Sequence, residues 1–124
     1  MDIVLLSIGG ASGSILRYIL GNITTKKSKN YFPYATFFIN ISGAILLGII
    51  NGFNISGNAY ILLADGFLGA YTTFSTFMYE GFCLFENDKK QTALIYISGS
   101  LILGVLGFFT GQVTGSIIQN YISK

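Results

Sequence analysis

The sequence predicts an all-α membrane protein with four transmembrane helices, the third of them broken near its middle. Three observations carry that prediction. Only 12 of the 124 residues are charged, seven Lys or Arg and five Asp or Glu, with no His; a soluble domain of this length at the usual ~25% would carry about 31. The charges also fall between apolar stretches: 30–64 and 91–123 contain none. A spanning helix needs ~20 apolar residues to cross ~30 Å of hydrocarbon, and four such segments fit. Finally, one segment carries a run of hydroxyl and small residues that a continuous helix does not favour.

The first span is expected over Ile3 to Asn22, followed by a polar loop over Asn22 to Asn30. The second runs from Pro33 to Phe53, with proline where a helix start tolerates its missing N–H, and ends in the turn cluster Asn51 to Asn58. The third covers Ala59 to Phe85 and the fourth Thr92 to Ile118, joined by Glu86 to Lys90. No repeat or second domain is visible, so 1–124 is expected to be a single four-helix transmembrane domain. Glycines recur at i, i+4 (Gly9 and Gly13, Gly48 and Gly52, then Gly107, Gly111 and Gly115), which puts them on one helical face and lets backbones approach in lipid.

Several function classes fall away. The single Cys83 excludes an internal disulfide, and without His there is no plausible zinc or iron cluster. A net charge of +2, with its cations in two short loops, argues against a nucleic-acid partner. An enzyme is not expected, because no Ser, Thr or Cys has a His to activate it and no carboxylate pair sits at working distance in one segment.

Polar residues inside spans are informative because each must find a partner or line water. Arg17 either snorkels towards the first loop or serves an aqueous vestibule, and Asp65 and Glu80 are open to the same two readings. Asn40 lies on one face with Thr36 and Gly43, and its amide has more hydrogen-bonding groups than its own helix can satisfy. Tyr96, Ser100 and Gly104 form a second such face, whereas lone hydroxyls such as Ser7 and Ser98 are expected to bond back to their own helix. The densest feature is the run Gly69-Ala70-Tyr71-Thr72-Thr73-Phe74-Ser75-Thr76-Phe77, which resembles the broken helices that expose carbonyls to ions. Phe74 and Phe77 stand at i, i+3 and are expected to face the same way, either as core or with their positive ring edges towards an anion.

The strings Gly9-Gly10-Ala11-Ser12-Gly13-Ser14-Ile15-Leu16-Arg17-Tyr18, Ala35-Thr36-Phe37-Phe38-Ile39-Asn40-Ile41-Ser42-Gly43 and Gly66-Phe67-Leu68-Gly69-Ala70-Tyr71-Thr72-Thr73-Phe74-Ser75-Thr76-Phe77 resemble the three signature segments of the CrcB/Fluc fluoride channel family. The resemblance implies a passive fluoride-selective channel of the bacterial inner membrane, an antiparallel dimer with two pores that relieves fluoride toxicity. It assigns Asn40 to the pore as a lining amide, Phe74 and Phe77 to an aromatic box, Tyr96 and Ser100 to a polar track and Thr76 to the pore hydroxyls. Arg17 goes to the vestibule and Glu80 to the pore end of the third span. Carbonyls of Gly69 and Thr72 are implied to hold a structural Na+ on the dimer axis. The chain departs from the pattern at Ala35, Leu68, Ala70 and Tyr71, conservatively, and at Asp65, where a small uncharged residue is common; Gly104 lacks a hydroxyl some members carry.

Two other classes share this size. A small multidrug-resistance exporter needs a carboxylate in its first span, and the only acid before Asp65 is Asp2. A non-conducting membrane subunit is the other. As for partners, the first and third connectors hold Lys26, Lys27, Lys29, Lys89 and Lys90, whereas the termini and middle connector hold only Lys124. This bias puts the basic loops in the cytoplasm. A fixed orientation makes the second half of an antiparallel dimer an oppositely oriented paralogue, the reading favoured here; a weak bias leaves a second copy of the same chain.

Overall fold

The structure, a computed structural model, describes residues 1–27 and 31–124. Among the described residues it is all helical, with no strand. Helix α1 spans Asp2–Lys27 and α2 spans Tyr34–Gly52; α3 (Asn58–Tyr60) leads into a π-helix, Ile61–Leu68, and then α4 (Gly69–Tyr71); α5 covers Phe74–Glu86 and α6 Lys90–Ile122. Three stretches are long and apolar enough to cross a membrane: Asp2–Thr24, Tyr34–Gly52 and Lys90–Ile122. The expected third span is helical over most of its length but not one helix. It is π-wound over eight residues and interrupted at Thr72 and Thr73, which are extended (ψ 161° and φ −147°, respectively).

The expected loop after Asn22 is a correction. Helix α1 runs on to Lys27, because nothing in Ile23-Thr24-Thr25-Lys26-Lys27 breaks a helix and lysines are favourable at the negative end of its dipole. Lys29 and the rest of that loop lie outside the described residues. Helix α6 likewise starts two residues earlier and ends four later than expected, and its 33 residues span about 50 Å at 1.5 Å per residue. Tyr31, ahead of α2, and Lys89, ahead of α6, lie at one end of the molecule, where the Lys89 ammonium is 4.6 Å from the centre of the Tyr31 ring.

The most extensive packing joins α2 to α6, with α1 lying against the π-helix. Glycine makes the first contact possible. A Cβ on Gly48 would collide with the Phe108 carbonyl, and one on Gly111 with the Ile45 carbonyl, so backbone touches backbone. Such close approach is how helices gain dispersion energy in lipid, where apolar side chains gain little by leaving the solvent. Gly48→Val is therefore expected to force α2 and α6 apart, at a cost of about 1–3 kcal/mol or more. Gly104→Ala, with nothing within 4 Å of the new methyl, should be tolerated. Thermal unfolding of the purified variants checks both.

Two small buried clusters flank the break. Phe77, Leu84, Ala93 and Tyr96 form one, and Ile39, Leu68 and Tyr71 the other. Much of the remaining apolar surface, including Ile15, Phe82, Leu101 and Val105, points outward. Apolar residues on all sides of the helices are what lipid or a second chain requires.

Candidate functional site

The site is built around the two-residue interruption. Thr72 and Thr73 are a β-branched pair that loses side-chain freedom in a helix, and leaving the helix would expose four backbone groups that need partners in an apolar medium. All four have one. Thr72 N–H and its hydroxyl donate to the Leu68 carbonyl (3.0 and 2.9 Å), and the Thr72 carbonyl accepts from Arg17 Nη1 at 3.2 Å. Thr73 N–H donates to Asn40 Oδ1 at 2.8 Å, and Asn40 Nδ2 donates to the Thr73 carbonyl at 2.9 Å. The Thr73 hydroxyl then caps α5, accepting from Thr76 N–H at 3.3 Å and donating to the Thr76 hydroxyl at 3.0 Å.

Asn40 thus finds the partner that its own helix could not supply, on the neighbouring segment. Its amide acts like a short piece of β-strand laid beside Thr73. Arg17, half-buried, reaches across to the break. Diverting Thr73 N–H to Asn40 also removes the donor that would otherwise continue the helical ladder to the Gly69 carbonyl.

A cavity of 630 Å³ opens beside the break, lined by Asn40, Thr73, Phe74, Phe77 and Ser100 together with Asp65, Gly69 and Thr72. Arg17, Thr76, Glu80 and Tyr96 do not line it. Glu80 lines a second, smaller cavity towards the connector end, with Tyr31, Pro33 and Cys83. The two regions are linked through Tyr96, which is wholly buried: its ring lies 5.2 Å from that of Phe77, and its hydroxyl donates to Glu80 Oε2 at 2.8 Å. Thr36, also buried, lies near the Glu80 carboxylate; sequence reasoning placed Thr36 on the Asn40 face only.

For two of the expected features the structure adds detail that spacing alone does not carry. Phe74 and Phe77 both line the cavity, with ring centres 6.2 Å apart, but they differ in burial: Phe77 is 6% exposed and packs against Tyr96, whereas Phe74 is 75% exposed. The i, i+3 spacing turns side chains 60° apart, enough here to put one ring in the core and the other beyond it. The Ser100 hydroxyl donates to its own helix at the Tyr96 carbonyl (2.6 Å), just as Ser7 and Ser98 do to Ile3 and Leu94. Its hydroxyl is directed at that carbonyl, although the residue lines the cavity. Sequence reasoning also missed the bond between the Ser42 and Tyr71 hydroxyls (2.8 Å), which ties α2 to α4.

A broken helix clasped by an asparagine, beside a cavity lined by an amide, hydroxyls and aromatic rings and set among apolar outward-facing helices, describes a membrane protein with an intramembrane polar site. Residues 4–112 match the family model described as CrcB-like protein, Camphor Resistance (CrcB). The chain is 62% identical over 112 residues to fluoride-specific ion channel FluC 2 of Clostridium acetobutylicum, covering 90% of this chain and 96% of that one. It is 42% identical over 117 residues to FluC 2 of Bacillus cereus (94% and 99% covered) and 37% identical over 123 residues to FluC of Dehalococcoides mccartyi (95% of each). The chain belongs to the CrcB/Fluc family.

Proposed function

We propose that this chain is a passive, fluoride-selective channel that lets fluoride leave a bacterial cytoplasm through the inner membrane. The observation that carries the reading is the cavity beside the break, where Asn40, Thr73, Phe74, Phe77 and Ser100 converge. The names of relatives alike over nearly the whole chain support it. Fluoride is small and strongly hydrated, so its passage needs groups that replace water without fixing the ion, and the walls must stay too narrow for chloride. Amide N–H groups and ring edges bind an anion without a full positive charge, and with the Ser100 hydroxyl bonded to its own helix the donor that lines the cavity is Asn40, which has a second N–H.

In this reading residues 58–86 make one interrupted crossing and the chain crosses four times as a single domain. An antiparallel partner covers the exposed Phe74 face and completes the aromatic pair. That partner is an oppositely oriented paralogue or a second copy, and the shared end of the first and third connectors is cytoplasmic. A structural Na+ suits the break: the Gly69 carbonyl has lost its ladder donor, the Thr72 carbonyl keeps one lone pair beside Arg17, and neutral oxygens suit a hard monovalent ion. Gly69 and Thr72 would hold it, and its charge would tie two crossing backbones together without being transported.

Vesicles reconstituted with this chain, alone and with an oppositely biased family member, are expected to release fluoride rapidly and chloride at least about a hundredfold more slowly, a difference of ~2.7 kcal/mol in barrier. Equal release of both halides, or release of neither from both preparations, refutes the reading.

A further inference from the structure

Asp65 has no role in this account, yet it is the residue that the fold treats most unusually. It lies within an apolar segment, halfway along the π-helix, and is exposed. An unpaired carboxylate in such a place is costly and needs a counter-charge. Among the described residues it makes no hydrogen bond or ion pair. Arg17 is the cationic residue that reaches the break, and its guanidinium is held at the Thr72 carbonyl.

The position points to what Asp65 meets. It is four residues before Gly69 and lines the same cavity as Gly69 and Thr72. Gly69 is also exposed, and a Cβ on it would come no nearer to the rest of the chain than 3.9 Å. Nothing among the described residues therefore requires glycine there, whereas an ion or a crossing backbone seated against the break would. A cation there would stand close to the Arg17 guanidinium, and two like charges in a medium of low dielectric repel strongly. Asp65 is the only acidic residue lining that cavity.

We propose that Asp65 is the charge-balancing residue of a monovalent-cation site at the helix break, offsetting the combined positive charge of the cation and Arg17. Cation binding here is then stronger than at a site of neutral carbonyls alone. The inference rests on the Gly69 and Thr72 cation site proposed above.

The test reads stability, with flux kept separate. Thermal unfolding of the purified dimer is followed as Na+ replaces N-methylglucamine, for the native chain and for Asp65→Asn, Asp65→Glu and Asp65→Thr. The native chain is expected to gain stability saturably with Na+. Asp65→Asn and Asp65→Thr should raise the half-saturating Na+ concentration at least tenfold, and Asp65→Glu, which keeps the charge, should stay within about threefold. An unchanged half-saturation in Asp65→Asn overturns the proposal and leaves the carbonyl site standing. A loss of stability equal with and without Na+ overturns it in favour of a basic side chain from the partner. No response of the native chain to Na+ removes both the site and the proposal, while fluoride release by that same preparation still decides the channel reading on its own.

Discussion

Replacing Asn40 by Leu is expected to abolish fluoride release and to destabilise the protein by about 2–6 kcal/mol. The magnitude follows from the geometry. Asn40 donates to the Thr73 carbonyl and accepts from Thr73 N–H, at 2.9 and 2.8 Å. A leucine leaves both backbone groups unpaired, and each unsatisfied buried group costs about 1–3 kcal/mol. The chain has no easy way to recover them, since closing the helix through Thr73 would also break the Arg17 contact to Thr72 and the cap on α5. Asn40→Asp separates clasp from pore. The aspartate keeps its acceptor for Thr73 N–H and the same volume, so it should fold with a smaller loss of stability, but it loses the N–H donors that would meet the anion and puts a carboxylate in their place, and should still block it. Thermal unfolding and vesicle flux, measured on both variants, give the comparison. Fluoride release by a folded Asn40→Asp protein at the native rate would take Asn40 out of the pore and leave it a purely structural clasp.

The importance of Asn40 was legible in the sequence for a physical reason: an amide inside an apolar helix has more hydrogen-bonding groups than that helix can use. The interruption was legible too, because Thr72-Thr73 beside small residues disfavours a helix. What the sequence could not reveal was how these features close on each other. The pairing of Asn40 with Thr73, 33 residues away, is a tertiary event, as is the reach of Arg17 over 55 residues to Thr72. The π-winding of Ile61–Leu68 has no compositional signature, since the same apolar residues suit an ordinary helix. Helix ends were misjudged where polarity was taken for a loop: Thr24 to Lys27 are polar and still helical. Ser100 shows the limit of face-by-face reasoning. It shares a cavity with Asn40, but a hydroxyl one turn beyond a helical carbonyl directs its proton there, as the isolated serines do.

Phe74 gives the sharper test of the aromatic pair, because the structure separates the roles that spacing alone had merged. Phe77 packs against Tyr96 and Leu84, so Phe77→Ile removes buried contacts and should cost about 1–3 kcal/mol whether or not the ring touches an ion. A fall in flux there mixes two causes. Phe74 is largely exposed on a single chain. Phe74→Ile should therefore leave the stability of the chain within about 0.5 kcal/mol of native, as surface substitutions generally do. An isoleucine has no positive ring edge to offer an anion. If Phe74 meets fluoride in the assembled protein, release per folded dimer should fall by about tenfold or more, the factor that ~1.4 kcal/mol of barrier represents. Chemical cross-linking and unfolding curves establish that the dimer is intact, and fluoride-electrode traces from vesicles supply the rate. An intact dimer with native flux would mean that the exposed ring meets lipid or the partner's surface instead, and the aromatic contribution to conduction would then rest on Phe77 alone.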